Sequence, residues 1–183
     1  MIQRSLALFL LIMVSPIFFF ITLSILIEDS FPVLYKQKRP GQNHQLFDFY
    51  KFRTMKKNTP EVATHLLENP VKYLLKIGPF LRRFSLDELP NLINVVKGDI
   101  GFVGPRPALF NQADLISLRE TYGIDKLKPG ITGWAQINGR DEISIDEKVL
   151  LEKYYLENRS LWLDIRIIHL TIKNSLIGRG VSH

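Results

Sequence analysis

A chain of 183 residues has room for one domain of ordinary size and not for two large ones. It carries 24 Lys and Arg against 18 Asp and Glu, a formal charge of +6 at neutral pH. Because it has no cysteine, a disulfide framework, a thiolate metal site and a cysteine nucleophile are all excluded.

The hydrophobic residues, 46% of the chain, are unevenly spread. From Ser5 to Ile27, 23 positions hold no charge, and only Ser5, Ser15, Pro16, Thr22 and Ser24 interrupt the apolar side chains. About 20 apolar residues span a bilayer, so the stretch is long enough. A cleaved signal peptide fits poorly, because the run is too long and no A-x-A-like site follows it. Pro16 lies near the middle, where a helical proline lacks an N–H and its ring clashes with the Ile12 carbonyl. The Ser15 hydroxyl can bend back to Leu11 or Ile12. Each half of a helix broken there is roughly 11 residues, or ~16 Å, against a hydrocarbon core of ~30 Å. Composition therefore allows a kinked spanning helix or a re-entrant hairpin that enters and leaves by one face.

Lys36, Lys38, Arg39, Lys51, Arg53, Lys56 and Lys57 crowd the flank that follows. Positive flanks stay cytoplasmic, close to anionic headgroups. The division expected is residues 1–30 in the membrane and 31–183 as a cytoplasmic domain. No recognised nucleic-acid motif accompanies the charge, so no nucleic-acid partner is expected.

Two β-rich runs, Val33–Gln37 and Leu46–Phe52, flank the turn formers Pro40-Gly41-Gln42-Asn43 and predict a hairpin. In the second run a period of two puts Lys51 and Arg53 on one face, Tyr50 and Phe52 on the other. Helical spacing returns over Val71–Phe84 through Leu74, Leu75, Ile77 and Leu81. In residues 85–98, Ser85 and Glu88 have the spacing of a capping box, and Leu86, Leu89, Leu92, Ile93 and Val96 share a face. Gly98 supplies a stop. Asp87 and Glu88 then fall in a first helical turn, where the helix dipole favours negative charge. Neighbours on a helix diverge by roughly 100°, so these carboxylates suit separate roles better than a shared proton. Simple capping would account for both as well.

Residues 98–107 (GDIGFVGPRP) and 128–140 (KPGITGWAQINGR) are rich in glycine, and each presents an arginine, Arg106 and Arg140. Loops so built suit a bidentate grip on phosphate oxygens, although ordinary turns use the same residue types. Residues 144–177 read as two amphipathic helices. The second sets Leu161, Trp162, Ile165 and Ile168 beside Arg166 and Lys173, which suits a membrane surface or a core with snorkelling cations. The elements together predict an α+β fold, mainly helical, with a small β-hairpin. No P-loop, dinucleotide fingerprint, zinc-protease motif or serine-hydrolase elbow is present. His44, His65, His169 and His183 have no spacing that suggests a metal site.

Several stretches, taken in order, carry a resemblance. They are Ser15-Pro16, QKRPG (37–41), FDFYKFRTM (47–55), SLDELPNL with its NV-x-KGD continuation (85–99), GPRP (104–107) and KPGITGWAQINGR (128–140). Together they resemble the bacterial sugar transferase family, the monotopic polyprenol-phosphate phosphoglycosyl transferases. Nearly the whole chain is covered, and it looks like the minimal catalytic form. The resemblance implies transfer of a sugar-1-phosphate from a UDP-sugar to undecaprenyl phosphate, with release of UMP, at the start of surface glycoconjugate assembly. It implies Asp87 as a nucleophile forming a covalent phosphosugar, Glu88 as a ligand of Mg²⁺, and Ser15-Pro16 as the break of a re-entrant helix. It further implies Arg106, between Pro105 and Pro107, and Arg140 at the nucleotide and phosphate groups, with Lys51 and Arg53 at phosphate or lipid phosphate. The catalytic domain would then lie on the cytoplasmic face of the bacterial inner membrane, among phospholipid headgroups. A homodimer through the tail helices is compatible with the sequence. The sugar is not legible, though an N-acetylated amino sugar is a reasonable guess. The chain departs from the family pattern in having only Arg4 ahead of the apolar stretch, and at Pro79 and Gly101. Rival readings are a membrane-anchored basic binding module without catalysis and a CDP-linked phosphotransferase.

Overall fold

A computed structural model describes residues 1–60, 69–139 and 143–177. It opens with two helices, α1 (Ile2–Met13) and α2 (Ser15–Asp29), which meet at Val14 with a bend of 59°. Pro16 therefore sits in the first turn of α2, where its missing N–H has no helical partner to lose. The bend opens space over the Ile12 carbonyl. The backbone ladder continues through it, from Val14 N–H to Leu10 O at 2.9 Å and from Phe18 N–H to Val14 O at 3.0 Å. The expected back-bond from the Ser15 hydroxyl is not found among the described residues. No single described helix is long and apolar enough to cross a membrane, but the bent pair together meets that length and composition.

One side of the pair packs on the body. Ala7 of α1 is buried with Phe47, Phe49, Leu92, Val95 and Ile100, and Ile21 and Ile25 of α2 with Val33, Phe52, Leu75 and Leu81. The other side leaves Phe9, Ile12, Met13, Phe19, Phe20 and Ile27 exposed. Large exposed apolar patches ordinarily mark a surface that meets lipid or an apolar partner.

The hairpin forms as β1 (Leu34–Pro40) and β2 (Leu46–Phe52), antiparallel, with Tyr35 opposite Lys51 and Pro40 opposite Leu46. Its turn lies later than the sequence suggests, over residues 41–45, closed by Gly41 N–H to Gln45 O at 2.8 Å. Pro40 can end β1 because no partner needs its missing N–H. Strand β2 is covered on both faces, with Phe47 and Phe49 in one cluster and Phe52 in the other.

The helix expected over residues 71–84 is in fact two short pieces, α3 (Pro70–Tyr73) and α4 (Gly78–Arg83). Pro79 is the reason, since a continuous helix would drive its ring into the Leu75 carbonyl. That carbonyl accepts Gly78 N–H at 2.8 Å, and Leu75 N–H turns to Thr54 O at 3.0 Å. Beyond the acidic pair come α5 (Asn91–Lys97) and a stop at Gly98 in the left-handed region, as its position suggests.

A second sheet, missed from sequence, pairs β3 (Gly101–Val103) in parallel with β4 (Gly130–Thr132). Helix α6 (Ala113–Thr121) lies between them in the chain. The backbones approach so closely at Gly104 and Gly130 that a Cβ on Gly130 would lie 2.2 Å from Gly104 N. This pairing sets the two glycine-rich loops side by side. The chain ends in α7 (Trp134–Asn138), α8 (Ile145–Asn158) and α9 (Leu161–Ile177), the last two matching the predicted pair of tail helices. A third core gathers Ala108, Leu115, Ile124, Val149, Tyr155 and Ile167 beneath them. The fold is α+β and mainly helical, with two small sheets.

Candidate active site

The acidic pair does not open a long helix. Ser85 adopts a left-handed conformation (φ 56°), residues Leu86–Glu88 form a single tight 3-10 turn, and Pro90 precedes α5. Pro90 explains the break, because an α-helix running from Leu86 would need its N–H to reach the Leu86 carbonyl. Ser85 does not cap through its side chain, so the expected capping box is absent there. A capping box does form at Ser144, whose hydroxyl accepts Glu147 N–H at 3.2 Å while the Glu147 carboxylate accepts Ser144 N–H at 3.0 Å.

Around the turn the structure brings together Lys51, Asp87, Glu88 and Arg106. Arg106 donates to both oxygens of Glu88, Nη1 to Oε2 at 3.1 Å and Nη2 to Oε1 at 2.5 Å. Lys51 Nζ lies 2.8 Å from Glu88 Oε1 and 3.7 Å from Asp87 Oδ2. Both carboxylates are largely buried, and Asp87 is 7% exposed. The surroundings drive the two acids apart. Burial, reinforced by the neighbouring Glu88 charge, pushes Asp87 up, against opposition from Lys51, Arg82 and Arg106. Burial also acts on Glu88, but Arg106 and Lys51 outweigh it and hold that carboxyl well below its usual range. Two adjacent carboxylates thus differ in character: Glu88 is a locked anion, Asp87 a more basic one.

Lys51 reaches the pair because β2 is tied to α5. Asn94, fully buried, donates through Nδ2 to Asp48 O at 2.6 Å and to Asp99 Oδ2 at 2.9 Å, and its Oδ1 accepts Tyr50 N–H at 3.3 Å. Sequence reading passed over Asn94, although an amide inside an apolar helix face is a signal of such a tie.

The remaining expected site residues fall elsewhere. Arg53 is not brought to the acidic pair. Its guanidinium pairs with Asp29 and donates to Pro32 O at 2.6 Å and Ser30 O at 2.7 Å, closing the end of α2 onto β2. Pro105 and Pro107 are buried and shape the loop: Pro105 O accepts Gly130 N–H at 3.0 Å, and Pro107 O accepts Arg39 Nη1–H at 2.7 Å. Ser15 and Pro16 stand at the head of α2. Arg140 lies outside the described residues.

Among the described residues no cluster of three or more His, Cys, Asp or Glu could hold a metal ion by itself. Mg²⁺ is commonly bound by one or two carboxylates with the rest of its shell from water and substrate phosphates. Asp87 and Glu88 offer hard oxygen donors of that kind. The pair is a donor set that would suit such an ion, with the remainder of its shell from water and phosphate.

The family model for bacterial sugar transferases matches residues 1–178, and the chain belongs to that family. It is 42% identical to the uncharacterized sugar transferase EpsL of Bacillus subtilis over 175 residues, covering 96% of this chain and 85% of that protein. It is 38% identical over 183 residues to the UDP-glucose:undecaprenyl-phosphate glucose-1-phosphate transferase of Escherichia coli, covering 96% of this chain but 39% of that protein. It is 33% identical over 171 residues to the UDP-N-acetylgalactosamine-undecaprenyl-phosphate N-acetylgalactosaminephosphotransferase of Aeromonas hydrophila, covering 91% of this chain and 40% of that protein. The chain thus spans less than half the length of these two characterised relatives.

Proposed function

We propose that the protein transfers a sugar-1-phosphate from a UDP-sugar to undecaprenyl phosphate at the cytoplasmic face of the plasma membrane, beginning a surface glycan. The observation that carries this reading is the buried Asp87–Glu88 pair bracketed by Lys51 and Arg106. The names of the relatives from Escherichia coli and Aeromonas hydrophila, both undecaprenyl-phosphate sugar phosphotransferases, support the same chemistry.

Asp87 acts as the nucleophile. One of its oxygens attacks the phosphorus that bears the sugar, the bond from that phosphorus to the UMP oxygen breaks, and UMP leaves with the electron pair. A phosphate oxygen of the polyprenol phosphate then attacks the same phosphorus and frees Asp87. Burial that raises the basicity of Asp87 strengthens it as a nucleophile, and Lys51 reduces the repulsion between its charge and the anionic donor. Glu88, with Asp87 beside it, would hold Mg²⁺, which when bound neutralises phosphate oxygens and the leaving group. Arg106 and Lys51, released from Glu88, turn their N–H groups to the diphosphate.

Membrane attachment in this reading comes from residues 1–30, with 31–183 as the catalytic domain. The 59° bend and the exposed apolar side of α1 and α2 support a re-entrant hairpin that keeps the acidic pair at headgroup depth. The test is UMP release from a panel of UDP-sugars with undecaprenyl phosphate, alongside intact mass of the donor-treated chain. A phosphosugar adduct that Asp87→Asn abolishes, with turnover, is the expected result. Full activity of that variant would remove Asp87 from its role.

A further inference from the structure

Behind the Arg106–Glu88 pair lies a cavity of about 210 Å³ walled by four cations, Arg39, Arg106, Arg119 and Lys148, with Gln112 and Leu115. That volume is far above the ~10–15 Å³ that one water requires by the same kind of measure, so a multi-atom group fits. No carboxylate among the described residues lines it.

Its charge is only half balanced. Glu88 matches Arg106, and Glu152 matches Arg119 through Nε–Oε2 at 2.7 Å and Nη2–Oε1 at 2.5 Å. Arg39 and Lys148 have no acidic partner within ion-pair distance among the described residues. Arg39 is the more telling, because it is only 9% exposed. Its bonds go to neutral oxygens, Pro107 O at 2.7 Å and Gln37 Oε1 at 2.9 and 3.2 Å. These fix its geometry and neutralise nothing. Three of its five N–H donors are engaged and two are left over. Buried charges ordinarily have a counter-charge in contact; here burial first, and then the nearby Arg106, draw Arg39 down to about 10 against the more distant pull of Glu88.

We infer that this cavity binds the phosphate on the nucleoside side of the donor, the one that leaves in UMP, with Arg39 and Lys148 supplying the matching charge. This rests on the proposed function, in which Asp87 attacks the phosphorus bearing the sugar and Arg106, which also lines the cavity, turns to the diphosphate. In the donor this phosphate carries one negative charge and gains a second when it leaves in UMP, so the two unmatched cations balance the leaving group most fully. Arg39 thereby becomes a donor-binding residue, reached from β1, an element otherwise far in sequence from the acidic pair.

Titrations of the 183-residue chain in lipid nanodiscs with UMP, uridine and a short polyprenyl phosphate test this. UMP is expected to bind more tightly than uridine. Lys148→Gln and Arg39→Gln are each expected to weaken UMP by about tenfold or more, the scale of a lost charged hydrogen bond, while uridine is unchanged. Arg39→Lys recovers part of the loss. If Arg39→Gln fails to fold, the half-buried Lys148→Gln decides alone. UMP affinity within about twofold of the parent in the folded variants overturns the inference, as does loss of polyprenyl phosphate binding in place of UMP. Turnover with an unchanged UMP affinity would sink the pocket and leave the reaction standing. UMP binding that depends on Lys148 without turnover would do the reverse.

Discussion

Arg106 and Glu88 meet as a two-point ion pair, with both guanidinium Nη atoms on both carboxylate oxygens. A lysine keeps the charge but has no planar fork to match a carboxylate or a phosphate. Arg106→Lys is therefore expected to lower kcat/KM by about 10- to 100-fold, the value of one or two charged hydrogen bonds. Steady-state UMP release measures it. A variant within about twofold of the parent would show that charge alone suffices at this position.

Lys51 touches both acids, and its charge lowers both of them. Lys51→Met removes that effect, so both carboxyls rise. Activity needs them ionised, and the acid limb of the kcat/KM profile is expected to move to higher pH, with a lower plateau as well. A pH–rate series on parent and variant checks the direction. A limb that stays in place, or shifts towards acid, contradicts the role given to Lys51.

Part of this site was legible because the acidic pair of SLDEL and Arg106 of GPRP, named from their motifs, meet in space. What the sequence concealed has physical causes. Ser85–Glu88 has the spacing of a cap, but Pro90 forbids the helix that the cap would begin. Strands β3 and β4 are three residues each, too short for any periodicity to register, yet their pairing sets the two glycine-rich stretches side by side. Arg39 and Arg53 sat in recognisable stretches, but only the fold decides which cation faces a cavity and which closes a helix end. Helix α2 and the hairpin claimed Arg53, and the cavity beside Arg106 took Arg39.

Gly98 shows how tightly α1 is seated. Its φ is 89°, and a Cβ there would lie 1.9 Å from Arg4 Nη2, where α1 packs along α5. Left-handed backbone at a residue other than glycine costs ~1–2 kcal/mol, and displacement of Arg4 adds to it. Gly98→Ala is expected to lower the thermal midpoint and to speed proteolysis of the α1 segment. Unaltered melting and digestion would mean that Arg4 moves aside freely.

The side of the membrane reached by the amino terminus separates a re-entrant hairpin from a spanning helix. The chain has no cysteine, so a single introduced one reports without background. Ile2 is exposed at the start of α1, and Lys38, in β1, belongs to the basic flank. In a hairpin that turns at Val14, both ends return to one face. Ile2→Cys and Lys38→Cys are then expected to react with a membrane-impermeant maleimide only in inverted vesicles or after lysis, and at similar rates. Labelling of Ile2→Cys in intact cells, with Lys38→Cys protected, would establish a crossing helix. It would also mean that the two halves, 12 and 15 residues long, straighten in lipid to bridge its ~30 Å core.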